Sequence, residues 1–175
     1  SRPFLADSRF RLHVQPERLG WAGNHDWTIR ARRGEFYIYQ QHDDQVSPDY
    51  VETLVAGALR WPRASVCFSK VKITGLQNRI NRTGSCLGEP IARALRYMER
   101  LDTIMLRGLM RGSALSDTSG LMANEFEGYG SEYRFLTELA LAGEFRFVEG
   151  PTYYKRVHGK NLHLKWYSWP PERKR

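Results

Sequence analysis

The chain has 175 residues, of which 41% are hydrophobic and 26% charged, so its length fits one domain and its composition excludes a disordered polypeptide. Its 27 basic and 19 acidic side chains give a formal net charge of +8, and most of the basic residues are arginine, which suits an anionic ligand or surface. No apolar run approaches the roughly 20 residues of a membrane-spanning helix, and two cysteines are too few for a disulfide scaffold or a cysteine-built zinc site.

The first half of the chain alternates strand patterns with helix patterns. An aromatic and β-branched run indicates a buried strand that continues into the polar residues 41–45. Ser47 and Pro48 are typical of the first positions of a helix. In chain order we predict a strand at 9–14, a helix at 22–33, a strand at 35–40, a helix from 47 to 61 and a strand at 65–73.

The second half adds more helices and a closing pair of strands. Strands that alternate with helices predict an α/β fold with a sheet that is at least partly parallel. Ligands of such sheets bind at the carboxyl ends of strands, which indicates the segment 41–45. The predicted elements are a loop at 75–89, a helix within 90–111, a loop at 112–130, a helix at 131–142, and strands at 144–148 and 152–157.

Two adjacent carboxylates, Asp43 and Asp44, follow the predicted strand at 35–40. Neighbouring acids at a strand end are unfavourable unless a cation or hydrogen-bond donors neutralise them. Oxygen ligands of this kind suit Mg²⁺ or Mn²⁺ that is shared with substrate phosphates. The alternative is a solvated acidic turn ahead of a helix, where the helix dipole favours carboxylates.

Three further positions carry candidate functional side chains. Glu132 opens the predicted helix at 131–142, where it is either a general base or an ordinary first-turn acid. Arg156 and His158 are two positions apart at the end of the last predicted strand, so a common face would let both meet an anionic ligand. Solvated side chains on a basic edge strand are the alternative. Asn24, on the first predicted helix, is a weaker candidate.

Three motifs, taken in order, resemble the nucleotide-sugar glycosyltransferases of family 2. Residues 19–50 are similar to the family's central segment, in which an Asn-bearing helix and a strand lead into an acidic metal motif. That motif is written here as His42-Asp43-Asp44, which resembles a His-Asp-Asp subgroup of the family. Residues 129–143 look like the family's acid-bearing helix, and 154–158 look like its closing motif with an Arg and a His.

The resemblance implies a fold and a reaction. The fold would be a partial A-type glycosyltransferase fold, α/β and Rossmann-like, with a mixed, mostly parallel sheet flanked by helices. The reaction would be metal-dependent, inverting transfer of a sugar from a UDP- or GDP-type donor to a hydroxyl of a saccharide or lipid-linked acceptor. The implied roles are catalytic base for Glu132, Mg²⁺ or Mn²⁺ binding for Asp43, Asp44 and His158, and donor binding for Asn24, Asp43, Arg156 and His158.

The sequence also departs from the family pattern. Glu132 stands where the family has an Asp, and Gln41 stands where the metal motif usually has its first Asp. We expect residues 1–165 to be a catalytic-domain portion without the family's first strand–helix–strand unit, and 166–175 to be a basic flexible tail. The expected location is the cytoplasm, peripheral at the membrane surface, with no nucleic acid as partner.

Two other classes of function stay open at this point. The net charge and nine tyrosines also fit a basic nucleic-acid-binding module, whose affinity would fall steeply with salt. A transferase remnant that keeps the fold without catalysis would bind no nucleoside diphosphate.

Overall fold

The computed structural model describes residues 6–170 and 172 as one α/β arrangement. Six helices and six strands follow one another, and no helix in this part of the chain is long and apolar enough to span a bilayer. In chain order the elements are α1 (Gly20–Ala31), β1 (Phe36–Ile38), β2 (Gln45–Val46), α2 (Tyr50–Arg60), β3 (Ala64–Gly75), β4 (Arg79–Asn81), α3 (Pro90–Met98), a 3-10 turn (Ile104–Arg107), β5 (Leu109–Arg111), α4 (Gly112–Ser116), α5 (Ser131–Ala142), β6 (Glu144–Val157) and α6 (Leu162–Tyr167).

The strands form one mixed sheet in the order β1-β5-β3-β6-β2, with β4 paired to β3. The central pairing of β3 with β6 is parallel and runs from Ala64 and Glu144 to Gly75 and Val157. The other four pairings are antiparallel. The predicted mixed α/β sheet is confirmed, but the expectation that it is mostly parallel is wrong, because only one of the five strand pairings in the described residues is parallel.

The core lies on the two central strands and the helices that cover them. Phe68 and Tyr153 are fully buried side chains of β3 and β6, and Leu54 of α2 and Leu136 of α5 are buried against the same core. Fully burying a side chain of this size stabilises the fold by about 2 kcal/mol. The sheet positions that carry the candidate site are therefore fixed by a continuous apolar core.

The predicted strand at 9–14 is not formed. Phe10, Leu12 and Val14 are exposed, and no strand pairs with this segment among the described residues. An isolated strand leaves its backbone groups without ladder partners, so alternation alone does not hold it in place. Strands at 35–40 and 65–73 and helices at 22–33, 47–61 and 131–142 are confirmed within a few residues at their ends.

The predicted helix within 90–111 divides into three elements. α3 ends at Met98, a 3-10 turn follows, and Leu109 begins β5. Gly108 approaches β3 so closely that a Cβ there would lie 2.6 Å from the carbonyl oxygen of Cys67. Helical spacing of apolar residues predicted one helix, but burial against the sheet decides their conformation here, as tertiary packing commonly does.

The predicted loops and the closing strands also differ in detail. The 75–89 loop contains β4, and the 112–130 loop begins with α4. β6 is one strand, with a register shift against β3 before residue 152, where two strands were predicted. Pro151 lies inside it because this irregular part of the ladder tolerates a residue without an N–H.

The first part of the predicted flexible tail is packed onto the domain. Trp166 and Trp169 are buried, and the rings of both lie edge-on to Tyr129, with centroids 5.6 and 5.9 Å away. Residues 171 and 173–175 of that predicted tail lie outside the described residues, as do residues 1–5.

Candidate active site

The turn between β1 and β2 places Asp43 against the chain that follows β6. Oδ2 of Asp43 lies 2.9 Å from Nε2 of His158 and 3.3 Å from the side-chain nitrogen Nδ2 of Asn161. Partial burial raises the pKa of Asp43, but hydrogen bonding to His158 and the nearby positive charge outweigh it, so the net pKa lies below the usual value. The structure therefore brings together Asp43 and His158, two of the predicted site residues.

The ring of His158 has a defined tautomer in this arrangement. The backbone N–H of Lys160 donates to Nδ1 of His158 across 3.3 Å, so the ring proton belongs on Nε2, where it points to Asp43. His158 therefore donates a hydrogen bond that orients the carboxylate.

Asp44 has a different environment from its neighbour. The hydroxyl of Tyr153 donates to Oδ2 across 2.9 Å, and the backbone N–H of Arg156 donates to Oδ1 across 2.9 Å. The residue is buried, with 9% of its surface exposed. Both oxygens of Asp44 thus serve as anchors that hold the β1–β2 turn against β6.

Glu132 lies in the first turn of α5, directly after Gly130 in the left-handed conformation and Ser131. Its Oε2 is buried and has no hydrogen-bond partner. Burial raises the pKa of Glu132, and a hydrogen bond from its own backbone N–H, followed by the positive charges of Arg107 and Lys155, opposes that rise only in part. A partly buried carboxylate with one unpartnered oxygen and a raised pKa has the properties of a general base.

Two cations near Glu132 were not among the sequence candidates. Burial, with the charge of Arg107 as the next cause, lowers the pKa of Lys155 to about 8, while Asp44 and Asp43 act in the opposite direction. The guanidinium of Arg107 lies over the ring of Tyr153, 5.7 Å from its centroid. Arg107 and Lys155 thus both act on Glu132, and Lys155 also interacts with Asp43 and Asp44.

Arg156 contributes to the site through its backbone. Its N–H holds Asp44, while its side chain is exposed on the strand face opposite Lys155. β6 ends at Val157, so the alternation that predicted a common face for Arg156 and His158 does not extend to His158.

Asn24 borders the same region from α1. It lines a cavity of about 620 Å³ together with Trp21 and, from the opposite wall, Lys160 and Asn161. Because Asn161 also contacts Asp43, this cavity adjoins the Asp43–His158 pair. Of the predicted site residues, Asn24, Asp43, Asp44 and His158 therefore lie in one region, and shared electrostatic neighbours connect Glu132 to it.

The oxygen ligands of this region fit a divalent cation only in part. Within residues 6–170 and 172, no group of three or more His, Cys, Asp or Glu side chains is arranged to hold a metal ion. Mg²⁺ is commonly bound by one or two carboxylates together with substrate phosphates, which matches Asp43. Asp44 fits less well because protein donors occupy both of its oxygens.

Three residues of the site, Asn161, Lys155 and Arg107, were not among the sequence candidates, and two of them had a weak signal in the sequence. Asn161 is three positions after His158, a spacing that a turn brings together. Lys155 is two positions after Tyr153, but only the fold shows that this face of the strand meets Asp44 and Arg107. Arg107 had no signal, since it lies within a segment predicted to be helical.

The sequence of this chain matches a known protein family, and its fold is similar to that of solved structures. Residues 2–116 match the model of Glycosyl transferase family 2, so the match ends before Glu132 and His158. No curated protein sequence matches the chain. The fold resembles the crystal structure of S. aureus TarS 1-349 in complex with UDP-GlcNAc, with a TM-score of 0.56 and 13% identity over 83% of this chain.

A second structure of S. aureus TarS 1-349 gives a TM-score of 0.52 and 15% identity over 78% of this chain. This chain spans 41% and 40% of the lengths of those two chains. The family model covers well over half of the 175 residues, and the fold agrees with it. The chain belongs to glycosyl transferase family 2.

Proposed function

We propose that this chain carries the reaction centre of an inverting transferase. It would move a sugar from a UDP- or GDP-type donor to a hydroxyl of a saccharide or lipid-linked acceptor. Family membership supports transfer from a nucleotide sugar, and a TarS structure of similar fold holds UDP-GlcNAc. The observation that carries the proposal is the partly buried carboxylate of Glu132, which is unpartnered at Oε2. It lies in an α5 turn that shares one charged neighbour, Lys155, with Asp43.

The chemistry of Glu132 follows from its environment. Its carboxylate takes the proton of the acceptor hydroxyl while that oxygen attacks the anomeric carbon of the donor sugar. The raised pKa makes Glu132 a stronger base than an exposed glutamate, which favours proton abstraction near neutral pH. Displacement by an activated hydroxyl in one step gives inversion at the anomeric carbon.

The donor diphosphate has candidate partners on the opposite side. Asp43 is the residue that fits Mg²⁺ or Mn²⁺, and that ion, when bound, would neutralise charge on the leaving phosphate. His158 orients Asp43 through the hydrogen bond from Nε2. His158 stays a predicted contact of the diphosphate, and Asn24 stays a predicted donor contact in the adjoining cavity. The predicted contact of Arg156 is limited to its backbone N–H, which holds Asp44 in place.

A matched pair of substitutions tests the base. Glu132→Gln keeps the shape of the side chain and removes its basicity, whereas Glu125→Gln makes the same change on an exposed loop before α5. We expect Glu132→Gln to reduce sugar transfer by at least about 100-fold with donor binding retained, and Glu125→Gln to change neither.

The experiment begins with a panel of nucleotide-sugar donors, because the donor must be identified before sugar transfer can be measured. Thermal shift with UDP and GDP sugars, with and without Mn²⁺, identifies the donor before transfer is measured. Wild-type protein that binds no nucleoside diphosphate would contradict the proposed function and favour a transferase remnant. Transfer that survives in Glu132→Gln would assign the base to another residue.

A further inference from the structure

Three cations surround the candidate site without an acidic partner. Within the described residues, Arg79, Arg107 and Lys155 form no ion pair with any carboxylate. The Nε of Arg107 is buried and has no hydrogen-bond partner, and its Nη1 makes one long contact, 3.4 Å, to the carbonyl of Thr103. Arg79 is exposed, whereas Arg107 and Lys155 are partly buried. For these two, positive charge that is buried and uncompensated costs free energy unless an anion binds there.

Strand register places two of these cations in one row. Ile73 of β3 pairs with Arg79 of β4 on one side and with Lys155 of β6 on the other. Residues directly opposite one another on neighbouring strands project to the same face of a sheet. Arg79 and Lys155 therefore flank the buried side chain of Ile73 on one face.

The third cation lies on the same face, one step further along β6. Val71 pairs with Tyr153, so the Tyr153 ring projects to the face of Ile73 and Lys155. The guanidinium of Arg107 covers that ring, and the Tyr153 hydroxyl binds Asp44. We name Arg79, Lys155 and Arg107 the cationic row.

The cationic row adjoins the residues proposed to hold the donor. Burial is the largest cause that lowers the pKa of His163 in α6 to about 4, and electrostatic interactions with Lys155, Arg107, Arg79 and His158 lower it further. The His163 side chain thus interacts electrostatically both with the cationic row and with His158. Asp43 and Asp44 likewise act on Lys155.

We propose that the cationic row binds the diphosphate of the nucleotide-sugar donor, with Lys155 as its central contact. This inference rests on the proposed function and adds to it a set of ligands on the sheet face opposite the Arg156 side chain. Lys155 and Arg79 offer charge-assisted hydrogen bonds to phosphate oxygens. As the sugar leaves, the added negative charge on the terminal phosphate meets cations that are already in place.

A lysine on the other face of the same sheet provides the control. Lys72 is adjacent to Ile73 in β3, is exposed, and pairs with Tyr154 and Ile80, so it projects away from the row. Lys155→Met and Arg79→Met remove charge from the row while keeping an unbranched apolar stem, and Lys72→Met removes the same charge outside it. Calorimetry of inorganic pyrophosphate and of UDP and GDP binding, on folded protein checked by thermal unfolding, compares the variants.

We expect Lys155→Met to weaken pyrophosphate and nucleoside-diphosphate binding about tenfold, Arg79→Met to weaken both several-fold, and Lys72→Met to leave both unchanged. Equal affinities in Lys155→Met and Lys72→Met, with wild-type binding intact, would overturn the inference while the proposed function stands. Unchanged diphosphate binding with impaired transfer to the acceptor would also overturn it, since the row would then serve the acceptor. A wild-type protein that binds none of the three ligands would overturn both.

Discussion

Nε2 of His158 lies 2.9 Å from Oδ2 of Asp43, although the two residues are 115 positions apart in the chain. Asp43 precedes β2 and His158 follows β6, so this contact depends on the antiparallel pairing of Gln45 with Tyr154. The edge strand β2 has only two residues, yet its pairing with β6 determines where the β1–β2 turn meets the end of β6.

The Asp43–His158 contact predicts coupled effects of substitution. We expect Asp43→Asn and His158→Ala each to lower sugar transfer by roughly 100-fold, because one removes the carboxylate and the other its orienting donor. The double variant should lose little more than Asp43→Asn, since both changes act on one carboxylate. Single-turnover transfer assays on the four proteins measure this cycle, and fully additive losses would show that His158 acts independently of Asp43.

Asp44 predicts a loss of stability. Asp44→Ala leaves the buried hydroxyl of Tyr153 and the N–H of Arg156 without their acceptor, so we expect the free energy of unfolding to fall by about 2 kcal/mol. Tyr153→Phe removes only one of these bonds and should cost about 1 kcal/mol. Urea denaturation measures both, with Asp117→Ala on an exposed residue as the control. An Asp44→Ala protein as stable as the control would refute the anchoring role.

Glu132 predicts a pH dependence of stability. Its pKa in the folded protein is above the usual 4.5, so its stabilising contribution is complete below pH 4.5 and is lost as the pH rises through the folded value. Glu132→Gln removes that loss, and we expect the variant to be more stable than wild type by about 1 kcal/mol at neutral pH and equal to it in acid. Denaturation at several pH values checks the sign.

The raised pKa of Glu132 also predicts how the rate of sugar transfer depends on pH in the acid range. Transfer by the wild-type protein should rise with pH as Glu132 loses its proton, with the midpoint above the 4.5 of an ordinary glutamate. A pH–rate profile on kcat/KM measures the midpoint. A rate that is already maximal at pH 4.5 would be incompatible with Glu132 as the base.

Gly75 predicts a backbone effect close to the site. It has a φ of +93°, and a Cβ at this position would overlap the carbonyl oxygen of Val157, the residue before His158. We expect Gly75→Ala to lower the free energy of unfolding by about 2 kcal/mol. Gly84→Ala, where a Cβ meets nothing within 4 Å, is the matched control and should change stability by less than about 0.5 kcal/mol. Equal stability of the two variants would contradict the overlap.

The sequence predicted the elements whose signals are local. The helix predicted after Ser47, the helix that ends before Gly143 and the aromatic strand before Asp43 formed as expected. The cap itself was wrong: α2 begins at Tyr50, and the Ser47 hydroxyl accepts the N–H of Thr152 in the neighbouring strand. Glycine ends and dense apolar patterns act within one turn or one strand, so neighbouring residues suffice to predict them. The resemblance to family 2 rested on motifs of this local kind.

Long-range pairing decided the elements that the sequence misassigned. Residues 9–14 alternate as a strand would, but no strand is placed to pair with them among the described residues. Leu109 continues a helical spacing, yet it lies on β5 because Gly108 allows the chain to approach β3. In both cases the free energy of pairing and burial, which local pattern does not contain, determines the conformation.

The amino-acid sequence by itself determined which chemical groups are present and which of them end a strand or open a helix: Asp43, Asp44, Glu132 and His158. Only the tertiary structure decided how neighbours divide their roles. Asp44 is bound by two protein donors while Asp43 faces His158, and Lys155 shares a sheet face with Arg79 while Arg156 does not. The reason is physical: hydrogen-bond partners and burial come from strands that are distant in the chain, and they set the charge and freedom of each side chain.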